Sequence, residues 1–229
     1  MLQVNLENVH KLSFKSNEAY KQLRTNILFC GKDTKVICLT SCLPNEGKSN
    51  VSFHLAMSLA EFGKKVVFID ADLRKSVIVG RYKPDHEVLG LSHYLTGQYS
   101  LSDVLYETNI ENLDIIFSGP IPPNPAELLG SETFGHLMEM FRKVYDYVIV
   151  DTPPLGSVID SAIVAEQSDG VLLVIEADAI SHKFAQKILK QLSKGHCRIL
   201  GAVLNRYDVV KNPHEYTGKK YKYYYKYYN

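Results

Sequence analysis

Six short apolar runs rich in valine and isoleucine recur along the chain with helical patterns between them: "KVICLT" at 35–40, "KVVFID" at 65–70, "LDIIF" at 113–117, "YVIVD" at 147–151, "GVLLVIE" at 170–176 and "RILGAVLN" at 198–205. A strand with one wet face alternates apolar and polar residues, whereas a strand covered on both faces is apolar throughout. These six runs are of the second kind. Alternating with helices, they predict an α/β fold with a mostly parallel sheet and helices on both faces.

The intervening segments fit. "NVSFHLAMSLAEFG" ends on Gly63 and "SHKFAQKILKQLSKG" runs from a capping Ser181 to Gly195, so both read as amphipathic crossover helices. "SNEAYKQLRTNILFC" predicts a helix over about 16–30, capped by Ser16, with Ala19, Leu23 and Ile27 on one face and Glu18, Lys21 and Arg24 on the other. Residues 118–129, "SGPIPPNPAELL", contain four prolines, the last of which, Pro125, suits the first position of a helix.

With 229 residues, 45% apolar and 22% charged, the chain suits a single globular core, read here as one domain over 1–206. A net charge of +1 gives no global attraction to nucleic acid, and none is expected as a partner. Cys30, Cys38, Cys42 and Cys197 lack paired spacing and the histidines are scattered, which argues against a zinc centre. No run approaches the ~18 apolar residues of a membrane span and no signal-peptide core is visible, which predicts a reducing, cytoplasmic location.

The first apolar run leads directly into "SCLPNEGKSN" and then a helix. Gly47-Lys48-Ser49 in that setting is the end of a Walker A loop, so Pro44, Asn45, Glu46, Gly47, Lys48, Ser49 and Asn50 form a candidate nucleotide cradle. Its amides and helix N-terminus would receive phosphate, Lys48 would reach the outer phosphates, and the Ser49 hydroxyl would ligate Mg2+. Cys42 stands where the general motif has its first glycine, and reads as a quiet small residue. Two further strands end in acids: "FIDADLR" places Asp70 and Asp72 on one side of a strand end, and "VIVDTPP" supplies Asp151 as a Walker B acid. In an open parallel sheet, ligands gather outside the carboxyl ends of the strands, where all these groups belong. Asn205 ends the sixth run and is a candidate for contacting a base, or a simple turn residue.

Beyond Asn205 apolar periodicity stops. Residues 207–229 read as an unfolded tail, finishing in "YKYYYKYYN" with six tyrosines: Tyr221, Tyr223, Tyr224, Tyr225, Tyr227 and Tyr228.

The proline-led GKS loop, "IDADLR", "VDTPP", "EAYKQLRTN", "PPNPAELL" and the terminal tyrosine cluster together resemble the bacterial tyrosine kinases (BY-kinases) of capsule and exopolysaccharide synthesis. The resemblance implies an ATP- and Mg2+-dependent protein-tyrosine kinase that phosphorylates its own tail in trans and regulates polysaccharide synthesis. It implies Asp72 and Asp151 holding the metal with Ser49, and Asp70 orienting or deprotonating the attacking phenol, so that Lys48, Asp70, Asp72 and Asp151 form the catalytic set. It further implies a homo-oligomeric ring using Glu18, Lys21 and Arg24, other protein substrates phosphorylated on tyrosine, and a membrane-embedded activator of the polysaccharide co-polymerase type that keeps the kinase peripheral to the membrane. Lys21, where the family prefers arginine, and Asn45, where glycine is frequent, depart from the pattern; asparagine tolerates a left-handed backbone better than most residues. Two alternatives differ in class. A partition- or septum-positioning-type ATPase would carry a lysine where this chain has Leu43 and would lack the tyrosine tail; an RNA- or lipid-binding role would rest on the few tail lysines.

Overall fold

The structure is a computed structural model that describes residues 2–9, 11–195 and 197–207. The tyrosine-rich segment and the six phosphoacceptor candidates therefore lie outside the described residues.

The element order is β1(Leu2–Val4), α1(Phe14–Leu28), β2(Val36–Ser41), α2(Lys48–Glu61), β3(Val66–Asp70), α3(Ile78–Tyr82), α4(Leu91–Leu95), α5(Leu101–Val104), β4(Tyr106–Thr108), β5(Leu113–Ile116), α6(Pro125–Leu129), α7(Glu132–Val144), β6(Tyr147–Asp151), α8(Asp160–Glu166), β7(Gly170–Glu176), α9(His182–Lys194) and β8(Ile199–Asn205). The strands form one sheet in the order β1-β4-β5-β3-β6-β2-β7-β8, parallel at every junction except β4 with β5. All six apolar runs are strands. The two additional ones, β1 and β4, have three residues each and lie at one edge, too short for any pattern to register.

Side chains alternate across the sheet, so β2 sends Val36 and Cys38 to one face and Ile37 and Leu39 to the other. Phe134, Leu137 and Phe141 of α7, Val164 and Ala165 of α8, and Ala185, Ile188 and Leu192 of α9 pack on the first face. Val51, Phe53, Leu55 and Leu59 of α2 and Ile27 of α1 pack on the second. At ~1.5–3 kcal/mol for each large apolar side chain buried, these two layers dominate the folding drive.

Two expectations about helices need correction. α2 is not an amphipathic surface helix: Val51, Ser52, Phe53, His54, Leu55, Ala56, Ser58, Leu59 and Ala60 are all buried. The reason is α1, which lies over its outer side, so α2 is covered by helix and sheet together. α1 itself starts at Phe14, three residues earlier than Ser16 would place it. Ser13 is the cap, with an extended backbone and a side-chain oxygen that accepts from the Ser16 amide at 3.2 Å. By contrast, the Ser181 cap, the left-handed Gly63 after α2 (φ 78°) and Pro125 at the start of α6 agree with the sequence.

Candidate nucleotide and metal site

β2 delivers the loop at 42–47 to the carboxyl edge of the sheet, and α2 begins at Lys48. Gly47 and Asn45 both have left-handed backbones, φ 82° and φ 68°. A Cβ on Gly47 would in addition lie 2.2 Å from Asn205 Nδ2, so both conformation and space demand glycine there. The Asn205 side chain, from the end of β8, donates to the Glu46 carbonyl at 2.9 Å and clamps the loop from outside.

Glu46 is buried, and its carboxylate is engaged by backbone. Oε2 accepts from the Leu43 amide at 2.6 Å and Oε1 from the Glu176 amide at 3.4 Å. It acts as a staple within the loop and to β7, which leaves ligand contact to the loop amides. Cys42 is wholly buried, and burial pushes its thiol up to about 12, so it carries no thiolate near neutral pH. Across the loop, Gly156 passes so close that a Cβ on it would stand 2.1 Å from the Cys42 carbonyl oxygen. Asn50, one residue beyond Ser49, lies beside the Tyr20 hydroxyl of α1.

The acids converge because their strands are neighbours in the sheet. Asp151 ends β6, which runs between β2 and β3, and its Cα is paired with that of Leu39 on one side and Asp70 on the other. Lys48 Nζ donates to Asp151 Oδ1 at 2.8 Å and to Ser49 Oγ at 3.2 Å. Ser52, one turn along α2, also reaches Asp151 Oδ1 at 2.8 Å. Asp151 Oδ2 is buried with no hydrogen-bond partner among the described residues.

Asp70 is fully buried. Its Oδ1 accepts from the Asp72 amide at 3.2 Å, and Oδ2 accepts from the Ser76 hydroxyl. Burial first, and then the neighbouring Asp151 charge, push its carboxyl up to about 7, against the pull of Ser76 and Lys48. Near neutral pH this carboxyl can accept or release a proton. Asp72 is nearly buried and caps the following turn, accepting from the amides of Lys75 (3.0 Å) and Arg74 (3.4 Å) through one oxygen. Arg74 then forks onto Asp160 at 2.7 and 2.9 Å, fastening the turn after β3 to the start of α8.

The GKS residues, Asp70, Asp72 and Asp151 thus meet at one edge of the sheet. Ser52, Ser76, Gly156 and the Arg74–Asp160 pair are parts of this site that sequence reading missed; Ser76 turns back onto Asp70 six residues before it, and the others are recognisable only once distant segments are adjacent. Glu18, Lys21 and Arg24 are disposed differently from one another. Glu18 and Lys21 pair at 2.7 Å on the surface, while Arg24 Nη1 donates to the Ser58 carbonyl at 2.8 Å and its guanidinium lies 4.5 Å from the Phe62 ring centre.

A lysine and backbone amides at a helix start receive anions, and an unpartnered buried carboxylate oxygen beside a hydroxyl suits a hard divalent cation. Fold and site together define a P-loop nucleotide-binding protein. Comparison with known proteins agrees: the AAA domain family model matches residues 34–205. The tyrosine-protein kinase CpsD of Streptococcus agalactiae serotype III is 41% identical over 192 residues, 84% of this chain and 83% of that protein. The tyrosine-protein kinase YwqD of Bacillus subtilis is 38% identical over 208 residues, 90% and 87% of the two chains. Among solved structures, the kinase domain of the Escherichia coli tyrosine kinase ETK superposes with a TM-score of 0.78 at 34% identity, covering 84% of this chain and 77% of that one. The septum site-determining protein MinD of Pyrococcus horikoshii, solved with Mg-ADP, fits less well, with a TM-score of 0.63 at 26% identity over 76% and 70%. The chain belongs to the bacterial tyrosine kinase family.

Proposed function

We propose that the protein is an ATP- and Mg2+-dependent tyrosine kinase that transfers phosphate to the tyrosines of its own C-terminal segment, between subunits, and thereby regulates capsular or exopolysaccharide synthesis. The observation that carries this reading is the side-by-side placement of Asp70 and Asp151 with Lys48 Nζ 2.8 Å from the latter: one cation, one buried acid with an unused oxygen, and one acid near its midpoint at neutral pH. The family membership and the weaker fit to MinD favour it over a partition- or septum-positioning ATPase.

ATP would be held by the amides of the loop at 42–47 and by Lys48, with Asn205 steadying the loop and Asn50 flanking it. Mg2+ would be held by Ser49, Asp72 and Asp151; when bound it supplies neutralisation of the phosphate charge that grows during transfer. Lys48 neutralises phosphate oxygens from the protein side. Asp70 receives the phenolic proton, a useful role because a free tyrosine hydroxyl has a pKa near ~10 and is a poor nucleophile when protonated. Ser76 keeps the Asp70 carboxylate aimed, and Arg74–Asp160 holds the turn that presents Asp72. Subunits would assemble into a ring through the α1 surface, where Glu18 and Lys21 are exposed, with Arg24 setting the α1–α2 packing beneath. Phosphates on the tail, at roughly −1.5 to −2 charges each, would repel it from the acidic site and favour ring dissociation. Among the described residues no helix is long and apolar enough to cross a membrane, so attachment there would come through a separate adaptor of the co-polymerase type.

A mixing experiment tests the trans arrangement. Lys48→Met protein, unable to transfer, is combined with active protein whose six tail tyrosines are phenylalanine, and both are given radiolabelled ATP and Mg2+. Label on the Lys48→Met chain supports transfer between subunits; a Lys48→Met chain that stays unlabelled, while wild-type protein incubated separately is labelled at a rate independent of its concentration, refutes it.

A further inference from the structure

The loop at 154–159, which follows Asp151, and helix α9 enclose a groove of about 320 Å3. Val158, Ile159 and Phe184 line it over the nearly buried Leu155 and Ile188, the polar Ser157 and Gln191 share the lining, and Lys187 is its one charged lining residue. Ile159 is 59% exposed, a large apolar side chain left at the rim. The floor backs onto the phosphate loop, because Gly156 sits between the Cys42 carbonyl and the Phe184 ring, 2.1 and 3.6 Å from where its Cβ would be.

α9 contains no acidic residue. Lys183, Lys187 and Lys190 are exposed along one side of it at spacings of four and three, and none has an ion pair among the described residues. An occupant of this mixed groove offers a flat body for Ile159 and Phe184, polar atoms for Ser157 and Gln191, and negative charge for Lys187. A flat anionic surface would engage the lysine row and leave the groove empty. A phosphorylated aromatic side chain uses both.

Such groups belong to this chain's own C-terminal segment. α9 is the crossover between the parallel strands β7 and β8, so it begins at the same sheet edge at which β8 ends. From Tyr207 to Tyr221 there are 14 residues, enough to span up to ~50 Å when extended, whereas α9 is only ~20 Å long. Before modification the segment carries Lys219, Lys220, Lys222 and Lys226 and is repelled by the lysine row. Phosphates reverse that sign.

We propose that the groove between the loop at 154–159 and α9 is a docking site for a phosphorylated tyrosine of the C-terminal segment, its ring against Phe184, Ile188 and Ile159 and its phosphate on Lys187. The inference rests on the tyrosine-kinase reading only for the origin of the phosphate. Docking there retains the modified tail on its own subunit, away from a neighbour's site.

The test uses the full chain with its six tail tyrosines changed to phenylalanine, titrated with a fluorescein-labelled synthetic peptide of the last nine residues, either unmodified or phosphorylated at Tyr223 and Tyr225. Fluorescence anisotropy should show the phosphopeptide binding roughly tenfold or more tightly than the unmodified one. Lys187→Glu should remove about tenfold or more of that affinity and Ile159→Asp should weaken it too, whereas Lys190→Glu, outside the groove, should change it by less than about threefold. No preference for the phosphopeptide, equal losses for the two lysine variants, or Lys187-dependent binding to phosphatidylserine vesicles without peptide binding would each overturn the proposal. Because the peptide carries its phosphates from synthesis, failed label transfer from ATP would remove the kinase reading and leave this measurement intact.

Discussion

Lys48 and Asp151 form an ion pair whose side chains are 6% and 1% exposed, and that burial makes the pair's removal measurable. Changing Lys48 to methionine preserves most of the packing but leaves the Asp151 charge buried beside Asp70, with Ser52 as its remaining donor. Removing one partner of such a pair costs about 3–5 kcal/mol, whereas replacing both charges costs far less. The double variant Lys48→Met/Asp151→Asn should therefore be more stable than Lys48→Met alone, with a coupling of about 2–3 kcal/mol between the sites. Urea unfolding followed by circular dichroism suits a chain without tryptophan. Additive single effects below about 1 kcal/mol would show that the pair is not the buried, coupled contact described and would undercut the site built around it.

Other consequences follow from individual contacts. In the free enzyme, Asp70 is held up to about 7, so its carboxylate is lost as pH falls through neutrality; kcat/KM should decline on the acid side with that midpoint, and Asp70→Asn should abolish the limb with most of the activity. Gly156→Ala forces a methyl against the Cys42 carbonyl, a clash between two backbone segments worth about 1–3 kcal/mol; nucleotide affinity measured by calorimetry should drop roughly tenfold or more, while Gly97→Ala, in open space but left-handed at φ 73°, should lower only the melting temperature. Ser13→Ala should cost about 1 kcal/mol in denaturant unfolding, and Ser16→Ala a few tenths, since only the former's oxygen caps α1. Arg24→Ala should destabilise the isolated subunit by about 1–2 kcal/mol through its lost bond to Ser58 and contact with Phe62, so any effect on assembly must be compared with Arg24→Lys at matched stability.

Much of this fold could be read before any coordinates because strands covered on both faces announce themselves: each of the six apolar runs is a strand, and the crossovers between them fix parallel pairing. The phosphate loop and three acids were equally visible, since a strand end is where a parallel sheet places its ligands. What escaped depends on distance along the chain. Ser13 and Ser16 are equally able to cap, and only the path of the preceding backbone decides between them. Nothing local to α2 reveals that α1 will cover its outer side. Glu46 reads as a loop acid near phosphate, yet it accepts from the amide of Leu43 beside it and from that of Glu176, 130 residues away. Ser52 is an ordinary helix serine until β6 brings Asp151, 99 residues away, against it, and Ser76 an ordinary turn serine until the chain after β3 folds back on Asp70.

Mapping the phosphate by mass spectrometry after incubation with ATP and Mg2+ tests the account most directly. Wild-type protein should carry new phosphate within residues 221–228, and the Lys48→Met and Asp70→Asn proteins, shown to be folded by circular dichroism, should carry almost none. Steady release of inorganic phosphate with no modified tyrosine, or undiminished tail phosphorylation in Asp70→Asn, would contradict it.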